Sequence, residues 1–428
     1  MQSSTNEKSS PPVMKNRSVN DRSIFIYLCS HRFWLGLFDT ADLSFIRNLF
    51  IHTIVEQTDV LMTIFVPENA TYQRVADLLK KEEQLKLLAS QFGAEINFLH
   101  LRGRNIKDIL NTPSKIHQLT QYYGRRFIWA KNYFNCFIGV ITKSRYPDIR
   151  LHFDMSGLVP EEVLYYSKHF IGLRILYFLV LKFIERINCR KADSVSVVSR
   201  RFKDYIITQH RLPDHKVSIT PVFFDYEKFF LSQELRGQIR SKYRIGDEQK
   251  LILYSGTLVR WQEPDRLFAF FKHIQQQDED HEFRFMILTF DQTKANHYKE
   301  KYRIDGLIIE TANAEQLNGY YNAADIGIAI RSADKVSFLS SPVKIPEYLS
   351  TGNSLISLEY VGDFGTDLAG KDFVLMKKDM DDLLATGIEE VRRLKKPAAA
   401  DLEEILSNYS SKKNIDVIKR IVNYNQTG

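Results

Sequence analysis

The sequence has no long apolar run. A membrane-spanning helix needs about 18–20 predominantly apolar residues, and no stretch of this chain reaches that length. The longest candidate, residues 170–184, is interrupted by Gly172, Arg174 and Lys182. We interpret this stretch as a mostly buried helix; the alternative is a helix that lies on a membrane surface. The sequence therefore predicts no membrane-spanning segment.

Cysteine is also scarce. The chain has 428 residues and three cysteines, Cys29, Cys136 and Cys189, which are far apart and odd in number. This argues against a disulfide framework or a metal-binding spacing, and predicts a reducing, cytoplasmic environment. The G-x-S-x-G motif of hydrolases and the Walker phosphate loop are missing as well. Two acidic runs, 278–280 and 379–382, lie in polar connecting segments, so we interpret them as solvated loops and predict no bound metal.

Acidic residues are in deficit in the first half of the chain. Residues 1–220 hold 31 Lys and Arg against 20 Asp and Glu, a net charge of +11, and the remainder holds 28 against 32, a net of −4, which together give +7. A basic half predicts an anionic membrane face or an acidic acceptor as partner, unless these charges only solvate the surface. No nucleic-acid-binding motif is recognisable, so no nucleic-acid partner is predicted. The first 20 residues are polar and predict a disordered tail, not a signal peptide.

Length and patterning predict two α/β domains, since 428 residues exceed one ordinary core. Strands that are apolar on both faces and separated by helices call for parallel, doubly wound sheets. The segment 118–141 is ambiguous between helix and strand. The predicted strands are 23–28, 60–66, 95–99, 149–153, 194–198 and 217–222 in the first half, and 250–254, 283–288, 307–309, 326–330, 354–358 and 373–375 in the second.

These patterns predict two Rossmann-like domains that face a central cleft. The N-terminal domain is predicted at 21–225 and the C-terminal domain at 226–400, with the boundary near 223–241, where strand patterning stops. Residues 401–428 include an amphipathic stretch at 414–422 and are predicted to form a helix that packs back on the N-terminal domain. Ligands of such sheets bind at the carboxyl ends of strands, so we expect the site in the cleft.

The segment 340–356 is the strongest site candidate. It predicts a loop, a short helix that begins near Pro342 and stops at Gly352, and then a buried strand. Lys344 and Glu347 are three residues apart, so a helix places them on one face. A cation near free backbone N–H groups suits a phosphate, and a carboxylate one turn later suits sugar hydroxyls. The alternative is a surface ion pair on a short helix.

Two further loops follow predicted strands. Gly256 would let the backbone turn tightly toward a diphosphate, and Arg260 could supply charge, although such turns also serve packing alone. Arg331 leaves its strand at the carboxyl end, where a ligand would lie.

Three segments have a recognisable pattern: Tyr-Ser-Gly-Thr-Leu (254–258), Asn-Ala-Ala-Asp-Ile-Gly (322–327) and Ser-Pro-Val-Lys-Ile-Pro-Glu-Tyr-Leu-Ser-Thr-Gly (341–352). Together they resemble the nucleotide-sugar glycosyltransferases of the GT-B fold, in particular the retaining family GT4. The third segment resembles members that build capsular and lipopolysaccharide sugars. Weaker similarity extends over 154–162, 191–199 and 221–229, and almost none precedes residue 150.

This resemblance implies roles for individual residues. Glu347 would hold the donor ribose, and Lys344 would reach the diphosphate. The other implied donor-binding residues are the amide of Gly256, with Thr257 and Arg260, at the phosphates; the backbone of Glu310, Thr311 and Ala312 at the base; and Arg331, Ser341 and Pro342. The resemblance also implies a nucleoside-diphosphate-sugar substrate, no bound metal or cofactor, and a glycan or lipid-linked acceptor. Protein cations would then neutralise the leaving diphosphate.

Catalytic residues on the N-terminal side are predicted at the end of a strand. Our candidates are His152 and Asp154, although a single histidine on a strand is more often a hydrogen-bonded core residue. The chain also departs from the family: Trp261 and Gln262 stand where a lysine is usual, Leu339 stands where many members have a second glutamate, and a glycine-rich loop is missing at 30–34.

The expected function is sugar transfer from a nucleoside diphosphate, with retention, in surface polysaccharide synthesis. Two alternatives remain open. The first is a nucleotide-sugar epimerase of the same fold, and the second is a non-catalytic relative that binds a glycan or a membrane.

Overall fold

A computed structural model describes residues 22–29, 43–51, 58–66, 72–102, 106–221, 228–409 and 411–427. The predicted tail at 1–20 and the loop at 30–34 lie outside the described residues. Residue 222, the last of the strand predicted at 217–222, also lies outside them. The same is true of residues 223–227 in the predicted boundary region at 223–241.

The first sheet has seven parallel strands in the order β3-β2-β1-β4-β5-β6-β7. The strand order reverses between β1 and β4, as in doubly wound sheets. The strands are β1 (Ser23–Leu28), β2 (Thr58–Val66), β3 (Ile96–Arg102), β4 (Arg125–Lys131), β5 (Arg150–Met155), β6 (Ser194–Val197) and β7 (Val217–Ile219).

The second sheet has six parallel strands in the order β10-β9-β8-β11-β12-β13, with its reversal between β8 and β11. The strands are β8 (Lys250–Ser255), β9 (Phe283–Leu288), β10 (Ile308–Glu310), β11 (Ile326–Ala329), β12 (Ser354–Leu358) and β13 (Val374–Lys377). The two sheets confirm the predicted α/β class.

Helices cover the faces of both sheets. In chain order they are α1 (Leu43–Ile51), α2 (Tyr72–Gln91), α3 (Ile106–Thr120), α4 (Tyr133–Arg145), α5 (Val159–Tyr166), α6 (Ile171–Lys191), α7 (Arg200–His210), α8 (Gln233–Lys242), α9 (Pro264–Gln277), α10 (Gln292–Tyr302), α11 (Leu317–Ala323), α12 (Lys335–Phe338), α13 (Lys344–Ser350), α14 (Phe364–Asp367), α15 (Met380–Leu384), α16 (Ile388–Arg392), α17 (Ala399–Ser407) and α18 (Ser411–Thr427). Among the described residues, no helix combines the length and apolarity that crossing a bilayer requires.

Alternation along β1 shows why the strands are apolar throughout. Ile24, Ile26 and Leu28 belong to a core on one face of the first sheet, whereas Phe25 and Tyr27 belong to a core on the other face. Successive side chains of a strand point to opposite faces, so a strand covered on both sides must be apolar at every position. The ambiguous segment 118–141 contains both β4 and most of α4.

The last helix returns to the first sheet. Side chains of α18, among them Ile415, Ile418 and Val422, share a core with Phe25 and Trp129 of the first sheet. The amphipathic pattern at 414–422 therefore covers an apolar face far away in sequence.

The structure corrects the interpretation of 170–184 as a mostly buried helix. Residues 171–184 form the first part of α6, and Phe170 lies just before it. Phe170, Ile171 and Phe183 have exposed fractions of 73%, 61% and 65%. Apolar composition alone does not decide burial, because a helix buries only the face against which another element packs.

Candidate functional site

The predicted site residues of the second sheet meet where its strand order reverses. β8 and β11 are neighbours in the sheet although β9 and β10 lie between them in sequence. Ser255 ends β8, and Arg331 follows β11 by two residues. A crevice at the carboxyl ends of strands on either side of a reversal is the usual ligand site of such sheets.

Lys344 lies over the end of β8. Its Nζ is 4.4 Å from the centroid of the Tyr254 ring and donates weakly to Gln262 Oε1 at 3.5 Å. Burial, followed by the repulsion of nearby Arg331, lowers the pKa of Lys344 to about 7, although Glu347 opposes the shift. Lys344 and Glu347 do not form an ion pair with each other or with another side chain in the described ranges. The surface ion pair considered from the sequence is therefore not what the structure shows.

Glu347 is held by a tyrosine. The Tyr321 hydroxyl lies 3.3 Å from Glu347 Oε2 and 3.0 Å from Ser255 Oγ. Because a hydroxyl has one proton, it can donate to the carboxylate while Ser255 donates to it. Burial raises the pKa of Glu347 to about 7, while the hydrogen bond from Tyr321 and the charge of Lys344 oppose that rise. A partly buried carboxylate with spare acceptor capacity suits a ligand that offers hydroxyl donors.

Gly256 gives the loop after β8 its shape. Its φ is +139°, which L side chains rarely adopt, and a Cβ there would lie 3.1 Å from Lys344 Nζ. Its amide, however, donates to Leu288 O at 2.9 Å, so it is not free to bind a phosphate as predicted. The amide of Thr257 has no partner among the described residues. Of these two amides, that of Thr257 is the one available to a ligand.

Tyr348 holds the end of β8 in place through a hydrogen bond with Ser255. Its hydroxyl accepts a hydrogen bond from Ser255 N at 2.9 Å. The ring fits because β11 has glycine beneath it: a Cβ at Gly327 would lie 2.3 Å from Cδ2 of Tyr348. Gly327 thus shapes the site without touching a ligand.

Gly327→Ala is expected to destabilise the protein by about 1–3 kcal/mol, because overpacking a buried ring forces neighbours to move. Ligand affinity at this site should fall with it, since the Tyr348 hydroxyl holds Ser255 N in place. Urea denaturation followed by circular dichroism measures the first effect. The matched control is Gly237→Ala in α8, where a Cβ meets nothing within 4 Å; it should stabilise by roughly 0.5–1 kcal/mol. Equal stability of the two variants would contradict the packing argument.

A cavity of about 280 Å³ lies between the two sheets' domains, beside this cluster. Arg331, Ser341 and Pro342 line it from the second half of the chain, and Gly157 and Glu162 from the first. Burial lowers the pKa of Arg331, while the charge of Glu162 counteracts that shift. The guanidinium of Arg331 has no hydrogen bond or ion pair in the part of the chain that the structure describes, whereas its carbonyl accepts from the Tyr360 hydroxyl at 2.7 Å. Two unpaired cations, Arg331 and Lys344, therefore lie close together.

Glu162 is a residue that sequence reasoning missed. Its neighbour Glu161 is buried and contacts Lys182 and Tyr205 at 3.5 and 3.3 Å, whereas Glu162 is partly exposed on the cavity wall. The two residues are equivalent in the sequence, and only the rotation of α5 distinguishes them. The weak similarity over 154–162 was the available signal.

Arg260 is not brought into this cluster. It lies in a 3₁₀ turn, Arg260–Gln262, with an exposed side chain that has no ion pair or hydrogen bond among the described residues. Of the three predicted cations, the structure thus brings Lys344 and Arg331 close together.

The segment 310–312 is predicted to contact the base, but its first backbone groups already have hydrogen-bond partners. Glu310 O accepts from Thr289 N at 2.9 Å, and Thr311 N donates to Glu310 Oε1 at 3.1 Å. Ala312 is the first residue of the segment whose backbone groups have no partner within the described ranges. The carbonyl of Thr311 and the backbone of Ala312 are the groups of this segment left for a base.

His152 is a core residue in this structure. It is fully buried, and its Nδ1 and Nε2 lie 2.8 Å from Ser194 Oγ and 2.9 Å from Ser196 Oγ. Burial lowers its pKa to about 3. A neutral imidazole with both nitrogens occupied cannot exchange a proton with a ligand in the cleft, so we do not place His152 in the chemistry.

Asp154 is partly exposed, but its carboxylate is engaged. Oδ2 accepts from Trp129 Nε1 at 3.1 Å, and Oδ1 accepts from Ser196 Oγ at 3.4 Å. These bonds orient the end of β5, which leads into Ser156 and Gly157 on the cavity wall. A catalytic role for Asp154 stays a prediction.

The structure shows the contacts of the residues that depart from the family pattern. Gln262 accepts from Lys344, and Trp261 lies 5.1 Å, ring to ring, from Tyr166 of the first half of the chain. Leu339 is buried in the core of the first sheet, and its carbonyl accepts from Ser199 Oγ at 2.8 Å. A glutamate at 339 would place its charge in that apolar core. Trp261 and Leu339 instead connect the two halves of the chain.

A larger cavity, about 560 Å³, lies beside α8, away from the strand ends. Its Arg236 and Arg240 are paired with Asp325 at 2.7 and 3.1 Å, so their charge is not available to an anion. No group of three or more His, Cys, Asp or Glu among the described residues could hold a metal ion. The cluster around Lys344 is therefore the better candidate site.

Comparison with known proteins gives the fold. No protein-family model and no curated protein sequence matches the chain. Solved structures do match: HepE of Anabaena in complex with UDP (TM-score 0.62, 12% identity, 94% of this chain and 100% of that chain), a glycosyltransferase of Rickettsia africae (0.65, 12%, 95% and 99%) and an α,α-trehalose-phosphate synthase (UDP-forming) of Burkholderia vietnamiensis (0.60, 12%, 94% and 100%). At 12% sequence identity, structural similarity shows that the fold is shared and nothing further. The chain has the GT-B fold, with its two α/β sheets, as the sequence predicts.

Proposed function

We propose that the protein is a glycosyltransferase that moves a sugar from a nucleoside diphosphate to a glycan or lipid-linked acceptor. The observation that carries this proposal is the cluster at the reversal of the second sheet. There a partly buried carboxylate, Glu347, lies one turn of α13 from Lys344. Arg331, in the loop after β11, lies close enough to Lys344 to lower its pKa. A nucleoside diphosphate offers a ribose diol beside two phosphates, which is the complementary arrangement.

The cations would act on the leaving group. Breaking the bond between sugar and phosphate leaves a diphosphate with increased charge, and preorganised cations in a partly buried site stabilise that charge as it develops. Arg331 and Lys344 meet this need with protein side chains, as in the metal-independent mechanism that the family resemblance implies. The cavity of about 280 Å³ beside them would take the transferred sugar.

The finer assignment is a retaining transfer in surface polysaccharide synthesis, as in family GT4. It rests on the pattern Pro-Val-Lys-Ile-Pro-Glu-Tyr at 342–348. The division into domains at 21–225 and 226–400, with 401–428 as a C-terminal segment, belongs to the same proposal. Within that segment, α18 packs on the core of the first sheet, whereas Ile405 and Leu406 of α17 pack on that of the second. Glu162 is the acceptor-side carboxylate that we would add to the predicted residues, because it lies on the cavity wall and its charge acts on Arg331.

Uridine diphosphate is the first ligand to test, because HepE and other structural neighbours were solved with UDP or UDP-sugars. A ligand that binds only the folded state at about 100 times its Kd stabilises it by ~2.7 kcal/mol. We therefore expect UDP to raise the melting temperature, with GDP and ADP as comparison ligands. A chain that none of the three stabilises would contradict the donor site.

Transfer itself is tested by release of nucleoside diphosphate from a panel of nucleotide sugars with cell-extract acceptors. The anomeric configuration of the product decides retention. Conversion of the nucleotide sugar to an isomer without any acceptor would indicate the epimerase, and binding without turnover would indicate a non-catalytic relative.

A further inference from the structure

Helix α6 has an apolar face that is open to solvent. Among the described residues, 18 large apolar side chains are exposed, and eight of them lie between residues 170 and 183. With 3.6 residues per turn, six of these eight fall within about half of the helix circumference. Contiguous apolar patches of this kind are uncommon on soluble monomers and mark interaction sites. The eight are Phe170, Ile171, Ile175, Leu176, Tyr177, Leu179, Val180 and Phe183.

The end of the same helix is basic. Arg186, Arg190 and Lys191 are exposed and have no ion pair with any described carboxylate. By helical spacing, Arg186 and Arg190 continue the apolar side of the helix. The one acidic residue of α6, Glu185, is fully buried and bonded to Lys182 and His210. The exposed side of α6 is thus apolar for its first three turns, cationic for its last two, and free of negative charge.

The apolar start of α6 lies near the cleft. Tyr166, five residues before Ile171, has its hydroxyl 2.6 Å from Ser332 Oγ and its ring 5.1 Å from that of Trp261. Trp261 also lines the cavity between the two halves of the chain. Whatever covers α6 therefore meets the protein beside the candidate site.

We propose that this face of α6 seats in the surface of an anionic phospholipid bilayer. Apolar side chains would enter the boundary between headgroups and acyl chains, while the arginines and the lysine meet lipid phosphates. The net charge of +11 over residues 1–220 adds a long-range attraction to the same surface.

A second copy of the chain fits this face less well. Lys168 is exposed just before α6, so both ends of the face are cationic. Antiparallel pairing would set Lys168 against Arg190 of the other copy, and parallel pairing would set arginine against arginine. Like charges brought together oppose association, whereas an anionic membrane neutralises both ends.

Binding to vesicles of phosphatidylglycerol and phosphatidylcholine, measured by flotation without donor or acceptor, tests the surface independently of sugar transfer. We expect binding to the anionic vesicles that weakens with salt. Phe183→Asp should reduce it by ~10-fold or more. The matched control is Leu87→Asp in α2, since Leu87 and Phe183 are both 65% exposed. Loss of binding in Phe183→Asp alone supports the proposal, and equal binding by the two variants overturns it.

Charge reversal and a probe make the test specific. Arg186→Glu with Arg190→Glu should weaken the salt-dependent part of binding strongly, whereas Lys80→Glu on α2 should change it little. The three native cysteines are buried, so Leu179→Cys can be labelled alone with a polarity-sensitive dye. Its emission should shift to the blue on vesicles, unlike that of Leu87→Cys. A blue shift that grows with protein concentration in the absence of vesicles, together with a dimer in sedimentation, would assign the face to a second copy and overturn the proposal.

Discussion

Glu347→Ala is expected to weaken UDP binding about 100-fold. A hydrogen bond to a charged group contributes roughly 1.5–3 kcal/mol, and a carboxylate that accepts from two ribose hydroxyls makes two such bonds. The side chain has acceptor capacity left after its contact with Tyr321. Titration calorimetry with UDP measures the loss directly, and the donor KM should rise in parallel while kcat changes less, because this contact is made equally before and during the reaction.

Two further variants separate ligand contact from damage to the site. Glu315→Ala removes an exposed carboxylate of the same half of the chain and should bind UDP normally. Tyr321→Phe keeps the ring but removes the hydroxyl that orients Glu347, so its loss should be smaller than that of Glu347→Ala. Unchanged UDP affinity in Glu347→Ala, with an unchanged melting temperature, would show that the carboxylate does not face the nucleotide.

Lys344→Ala is expected to lower kcat/KM by about 10²–10³, because it removes a preorganised charge from the leaving diphosphate. Here the effect should appear in kcat as well as in KM, which distinguishes Lys344 from Glu347. Arg331→Ala should act in the same direction. The control is Lys378→Ala, an exposed lysine after β13. Steady-state kinetics with a nucleotide sugar give all three numbers, and a Lys344→Ala enzyme as active as the control would remove the lysine from the mechanism.

The pH dependence of anion binding gives a second test of Lys344. Its pKa is lowered to about 7, so the free protein loses this charge as the pH rises through 7. Affinity for inorganic pyrophosphate, which has no ribose to engage Glu347, should therefore fall above pH 7. Titration of the ligand and of Glu347, whose pKa is also about 7, occurs in both wild type and Lys344→Ala, so the pH-dependent difference between the two proteins reports on the lysine. A parallel pH dependence in both proteins would contradict the shifted pKa as the cause.

The sequence was sufficient for the architecture and for part of the site. Strands such as β8 and β12 are short and apolar on both faces, and only a sheet covered by helices on two sides buries such strands. Lys344 and Glu347 could be chosen because both lie on one short helix, where spacing in sequence fixes spacing in the molecule.

Tertiary structure decided what spacing could not. Tyr321 reaches Glu347, Arg331 lies near Lys344, and Glu162 rather than Glu161 faces the cavity, because strand order and helix rotation bring together residues that are distant in sequence. Likewise, the polar contacts that make His152 a core residue come from Ser194 and Ser196 on the neighbouring strand. The apolar stretch of α6 looked like core in the sequence, and only the packing of the folded chain showed that nothing described covers it. The number of apolar side chains limits how much stabilisation burial can give. The fold determines which of those side chains are buried.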